Sequence, residues 1–305
     1  MKKGILFVIL SGLCFLVVNL IVKLFSGNLT LGQLEVQSLP AHELVLSRSI
    51  VSFVISSVII YRKGLPYFGV NKKWLILRGL AGTVALTLFF MTIHNMPFAV
   101  AAVIQYLAPI FTMFFTFLIL GERIFKIQWI FVSLAFLGVC LISFQNYTSE
   151  DFGTYFEPYW IGFGILSASI SGIAYTAIVK LKKTDEPISI VLYFPMVSIP
   201  FMVLLCLFDF VMPAGVEWLL LLLVGIFTQF AQILLTKALH LGSSSLIIPF
   251  QYLGIVYALL VGYFVFDERL NMMVNIGVLF IFLGIIMNAY LRYKTVSYTH
   301  LRAHE

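Results

Sequence analysis

Few residues in this chain carry chemistry, and those that do recur in pairs. Gln105-Tyr106 returns as Gln251-Tyr252, Glu122-Arg123 as Glu268-Arg269, and His94 as His240, each at an offset of 146 residues. An amide beside a phenol donates and accepts hydrogen bonds but is no nucleophile or base at neutral pH. The chemistry on offer is recognition of a polar ligand. An enzyme needs more, either a metal-spaced histidine set or a Ser or Cys nucleophile with a base. Residues 1–294 hold no metal-spaced histidine cluster, and Cys14, Cys140 and Cys206 lie scattered in apolar runs. The sequence therefore predicts a non-enzyme with no catalytic residue, no metal and no cofactor.

These polar residues are set in an apolar chain. Of its 305 residues 61% are hydrophobic and 10% charged, where a soluble domain carries about 25% charge. The mean hydropathy is +1.06. Apolar runs near the ~20 residues that cross a bilayer as a helix recur at 4–24, 43–61, 74–93, 97–120, 126–145, 158–179, 188–208, 217–237, 243–265 and 271–291. The fold class is an all-α polytopic membrane protein of ten transmembrane helices. The first run is longer than a signal-peptide core and lacks a small-residue cleavage site before Lys23, so it is expected to stay as an anchor. The net charge of +6 fits membrane orientation, and no nucleic-acid partner is expected.

The offset of 146 extends well beyond the paired residues. Gly79–Gly138 lands on Gly225–Gly284 without a gap, and Phe136-Leu137-Gly138 meets Phe282-Leu283-Gly284. The chain divides into repeats at 1–146 and 147–294. Five spans per repeat is odd, so the second repeat enters the membrane inverted. Residues 62–73 hold Arg62, Lys63, Lys72 and Lys73, whereas the matching 208–219 hold no basic residue. With basic loops on the cytoplasmic side, both termini are cytoplasmic. Residues 295–305 are polar and aperiodic; they resemble a translated sequencing-adapter fragment and are read as a non-native tail. Inverted repeats are a mark of secondary transporters, which hold substrate near the midplane where the repeats meet.

Gln105 lies about 12 Å into the fourth span at 1.5 Å per residue, and Gln251 at a similar depth from the other face. Helix 4 continues the stripe with Pro109, Thr112 and Thr116, and Pro109 invites a kink. Helix 1 offers Asn19, helix 6 Ser167, Ser171 and Tyr175, and helix 8 Gln229, Gln232 and Thr236. The candidate substrate-binding residues are Gln105, Gln251, Tyr252, Tyr175, Asn19, Gln232 and Arg48. The competing role for such groups is hydrogen bonding between helices. Arg48 is the one strongly charged residue read as well inside a span. It either meets an anionic substrate or snorkels to pair with Glu43, and its counterpart in the second repeat is Phe194. Lys23 and Lys180 end their spans and are expected to snorkel. Glu122, Arg123, Glu268, Arg269 and Pro109 are gating or structural candidates, each Glu preceding a helix at its positive end.

Leu120-Gly121-Glu122-Arg123, Pro109, Asp267-Glu268-Arg269, Arg78-Gly79 opening helix 3 and Arg48 in helix 2 together resemble the EamA-type transporters of the drug/metabolite transporter superfamily. The resemblance covers residues 1–294. It implies ten helices, inverted five-helix repeats, and a cavity lined by helices 1, 3, 4, 6, 8 and 9. It also implies transport of amino acids, nucleotide precursors or other metabolites, often outward. Two departures are Asp267 where the first repeat has Gly121, and Ile255 where it has Pro109. The expected function is a secondary transporter, an exporter of a small polar or amphipathic metabolite, in a bacterial cytoplasmic membrane. A flippase for lipid or lipid-linked sugar is the rival. The expected partners are a small-molecule substrate and membrane lipid, with a homodimer as a possibility. The 13 acidic residues all sit in loops, tails or first turns, so facilitated transport with at most weak dependence on proton-motive force is expected.

Overall fold

Hydrocarbon offers backbone N–H and C=O groups no partner but one another, so long apolar runs become helices. The computed structural model describes residues 2–27, 36–121, 126–148, 156–241, 253–268, 270 and 272–302. Its helices are α1 (Lys2–Leu24), α2 (Ala41–Lys63), α3 (Lys72–Asn95), α4 (Phe98–Gln105), α5 (Ala108–Leu120), α6 (Lys126–Thr148), α7 (Tyr159–Leu181), α8 (Pro187–Cys206), α9 (Glu217–Leu241), α10 (Leu253–Phe266) and α11 (Met272–Arg302). Among the described residues seven spans are long and apolar enough to cross a membrane, with α4 and α5 counted as one broken span. Three shorter apolar stretches, Ser133–Ile142, Leu253–Phe266 and Met272–Gly284, complete ten. The backbone of α11 stays helical to Arg302, into the residues that read as aperiodic in the sequence.

The helix pairing has the symmetry that inversion requires. α1 packs along α9, α3 along α7, α2 along α8 and α6 along α11. Exchanging the repeats turns the α1–α9 pair into α7–α3 and maps the other two pairs onto themselves. The α6–α11 crossing is the tightest: a Cβ at Gly277 would stand 2.7 Å from the Gly138 carbonyl, and one at Gly284 2.5 Å from that of Phe131. Without a hydrophobic drive between helices in lipid, such close backbone approach is what holds a pair.

Loops at both ends are fixed by carboxylates on backbone donors. Asp185 accepts from Val70 N–H at 2.6 Å, just ahead of α3. Glu217 accepts from Gln37 N–H at 2.9 Å and Ala214 N–H at 2.7 Å, and Glu43 from Val211 N–H at 2.6 Å. Phe25, Phe90, Ile93, Phe98, Ile104 and Leu107 are fully buried in one core where α1, α3 and α4 meet.

Candidate functional site

The fourth span breaks in its middle rather than merely kinking. Pro109 has no N–H to give the Gln105 carbonyl, and its ring crowds that carbonyl. α4 ends at Gln105, Tyr106 and Leu107 form a turn, and Pro109 becomes the second residue of α5. Leu107 N–H reaches the Ile104 carbonyl at 3.0 Å, and Phe111 N–H reaches that of Leu107 at 3.1 Å. The turn lies beside a cavity of about 170 Å³.

Seven of the expected residues line this cavity: Asn19 from α1, Arg48 from α2, Gln105 and Pro109 from the broken span, Ser171 and Tyr175 from α7 and Gln232 from α9. Gln105 spans the gap to α7. Its amide nitrogen donates to Ser171 Oγ at 3.0 Å and its oxygen accepts from Ser167 Oγ at 3.0 Å. Ser167 also lies 2.7 Å from the Ala85 carbonyl. The residue thus both lines the cavity and ties two helices together. Gln251, Tyr252, Glu122, Arg123 and Arg269 lie outside the described residues.

Several expectations need correcting. Gln229 shares a helix with Gln232 but turns away from the cavity, donating to Ser56 Oγ at 2.7 Å in the α2–α9 contact. Thr112 and Thr116 bond carbonyls of their own helix, at 2.8 and 2.9 Å, and do not extend the cavity stripe. Lys23 does not snorkel; it is 7% exposed. Its ammonium donates to the Ile93 and Met96 carbonyls at 3.0 and 2.8 Å, because the end of α3 leaves carbonyls without helical donors.

Arg48 does not pair with Glu43. It is 2% exposed, lines the cavity, and holds its guanidinium 4.9 Å from the centre of the Phe194 ring and 6.0 Å from that of Phe90. Nor is it the one charge inside a span. Arg78, 4% exposed, sits six residues into α3, about 9 Å deep, because α3 begins at Lys72 rather than at 74. Its guanidinium lies 5.7 Å from the Phe194 ring centre and donates to Gln232 Oε1 at 3.4 Å. The cavity thus takes in the second and seventh spans as well as the six expected. A Cβ at Gly82 would overlap the Arg78 guanidinium and come within 2.9 Å of Phe194, so glycine there makes room for both. A Cβ at Gly254 would likewise overlap the Tyr106 hydroxyl.

Glu268 caps a helix, though not the one that follows it. Its carboxylate accepts from Phe98 N–H and, at 2.9 Å, from Ala99 N–H, the first donors of α4. Burial pushes this carboxyl above the usual range, while those donors and Lys23 pull it back. Asp267 has φ 48°, the left-handed turn that Gly121 makes with φ 72°, so the exchange of residue keeps the turn. Asp tolerates this conformation better than most side chains.

A family model described as the EamA-like transporter family matches residues 2–144 and again 158–290. The chain belongs to this family. It is a multi-pass membrane protein and a small-molecule transporter. It is 29% identical over 258 residues to the pseudopaline exporter CntI of Pseudomonas aeruginosa strain UCBPP-PA14, covering 84% of this chain and 85% of that one. It is 25% identical to the riboflavin transporter of Vibrio cholerae serotype O1, covering 87% and 85%. It is 22% identical to the S-adenosylmethionine uptake transporter of Rickettsia prowazekii, covering 95% and 96%. A solved crystal structure superposes with a TM-score of 0.63 at 17% identity, covering 97% of this chain and 99% of the other, which shows the fold. For this EamA-like chain the sequence reading missed Arg78, Tyr106 and Phe194 as cavity residues. Arg78 carried a signal, since a charge six residues past Lys72 is too deep to be a span boundary.

Proposed function

We propose that this protein is a secondary transporter that exports a small polar or amphipathic metabolite by alternating access. The bodies that move against each other are the repeats 1–146 and 147–294. The observation that carries the reading is the position of the cavity. Arg48 and Phe194 are equivalent residues of the two repeats, 146 apart, and they touch there. Symmetry mates in contact straddle the pseudo-twofold axis, which in an inverted repeat runs through the middle of the membrane. A site on that axis is equally distant from both faces, as alternating access needs. Asn19, Arg48, Gln105, Tyr175 and Gln232 are the substrate contacts in this reading, with Gln251 and Tyr252 as the second repeat's share.

The termini and basic loops face the cytoplasm of a bacterial inner membrane, which makes the end bearing Leu24 the outer one. That end is sealed around Lys23, Met96, Phe98 and Glu268. We take Glu268 and Lys23 as the outer gate, and Glu122 with Arg123 as its inner counterpart. Relatives include both an exporter and an uptake transporter. Export rests on the resemblance, and a non-enzyme on the absence of nucleophile chemistry. The test is metabolite profiling of an over-expressing strain beside a Gln105→Ala, Arg48→Gln variant, followed by flux of the enriched compound in proteoliposomes. Enrichment outside the cell that the variant abolishes supports export; enrichment inside reverses the direction; a change confined to lipid asymmetry replaces the reading with a flippase.

A further inference from the structure

The two arginines have more to say about the substrate than the amides do. Each is at least nine-tenths buried and lines the cavity. Among the described residues neither guanidinium meets a carboxylate, and the Nε of each has no hydrogen-bond partner. A buried charge without a counter-ion is costly in a membrane and is held where function requires it. The fold does not require it. The symmetry-related positions in the second repeat are Phe194 and Val224, which are buried and apolar, so one repeat builds the same helices with no charge at either place.

The surroundings specify what is missing. Arg48 enters from one end of the bundle and Arg78 from the other, since α2 and α3 run in opposite directions, and both stack near the single Phe194 ring. Tyr175 lies within electrostatic reach of both. Gln232 Oε1 takes one Arg78 donor. Both arginines line a cavity whose other walls include Phe15, Phe89, Phe90 and Tyr106. A guanidinium is a planar fork that fits an oxyanion through two parallel N–H bonds.

Resting on the transporter reading above, we infer that Arg48 and Arg78 form an oxyanion subsite and that the substrate is a small organic anion. Its carboxylate or phosphate lies between the two guanidiniums, and its apolar part lies on the Phe89, Phe90 and Tyr106 side. The anion supplies the counter-charge that the protein itself lacks.

Binding tests this without transport. The detergent-solubilised full chain is titrated calorimetrically with 3-phenylpropanoate, phenyl phosphate and 3-phenylpropanamide, which share a ring but differ in charge. At least one anion is expected to bind tenfold or more tightly than the amide. Preference for the carboxylate or for the phosphate assigns the oxyanion. Arg48→Gln and Arg78→Gln should each abolish the preference by weakening the anions far more than the amide, and Arg48→Lys should keep part of it. Retained melting temperature and a monodisperse elution profile show that the variants are folded. Equal binding of anions and amide, no binding of any anion, or an anion preference that survives both glutamine variants would overturn the subsite. A protein that binds the anions but moves no solute in vesicles keeps the subsite and loses the transporter reading.

Discussion

Gln229 and Gln232 stand three residues apart on α9 and do different things. Gln229 bonds Ser56 within a helix contact, whereas Gln232 meets Arg78 at the cavity. Gln229→Ala should cost roughly 0.6 kcal/mol of stability, the average for such bonds between membrane helices, and leave transport rates within twofold. Gln232→Ala should do the reverse, with little change in melting temperature and a loss of transport. Equal effects of both on transport would show that the cavity has been misassigned. Gly82→Ala is a second probe. Its new methyl group meets the movable end of Arg78 and, at 2.9 Å, the edge of the Phe194 ring, with no backbone atom among its nearest neighbours, so the fold should survive with both side chains displaced while transport falls roughly tenfold, a loss worth about 1.4 kcal/mol. Helical spacing in the sequence groups residues into stripes and so put Gln229 and Gln232 together. It carries no information on which side of a stripe faces a void. Arg48 was legible because a charge deep in a span demands an explanation. Arg78 was hidden by two residues of error in where α3 begins.

Helix ends were legible where charge bounds an apolar run, and the broken fourth span shows where that legibility stops. Proline forbids one hydrogen bond, but whether a helix bends or parts depends on the packing around it. Here Gln105 is held by Ser167 and Ser171 of α7, which fixes the end of α4 while α5 starts afresh. Pro109→Ala restores a donor for the Gln105 carbonyl. The expected outcome is a melting temperature unchanged or raised, with slower transport as the turn loses its freedom to hinge; faster transport would remove the turn from the mechanism. The capping of α4 by Glu268 spans 170 residues of sequence, a distance over which no local pattern speaks. Glu268→Ala strips two N–H groups of their acceptor and should destabilise the outer closure by about 1 kcal/mol, the worth of a helix cap. Glu268→Gln keeps an acceptor and should do so less. Labelling of a cysteine placed at Met96 by an impermeant thiol reagent reads that closure directly, and equal labelling in both variants and the parent would remove Glu268 from the gate.

The whole molecule was legible in outline because duplication wrote the same spacing twice, and the helix pairs α1–α9 and α3–α7 repeat it in space. What duplication cannot supply is the asymmetry, two arginines in one repeat facing Phe194 and Val224 in the other. That asymmetry bears on energy coupling. No acidic residue lines the cavity among the described residues, so a pH gradient has no carboxylate to act on. An anionic substrate, however, carries its own charge through the field, and each elementary charge gains about 2.3 kcal/mol per 100 mV. Flux in proteoliposomes should be indifferent to an imposed pH gradient yet accelerate outward under an inside-negative voltage, which amends the expectation of weak dependence on both. Uphill movement driven by the pH gradient alone would require a titrating group in the path. In alternating access one cavity serves both faces, and Ala174, a buried cavity residue on α7, reports on it with little disturbance. In a background with Cys14, Cys140 and Cys206 replaced by serine, a cysteine at Ala174 is exposed to an impermeant thiol reagent from one side of oriented vesicles and then from the other. Reaction is expected from both sides, slowed by bound anion in each case; reaction from neither, or from one face alone while flux continues, would contradict alternating access through this cavity.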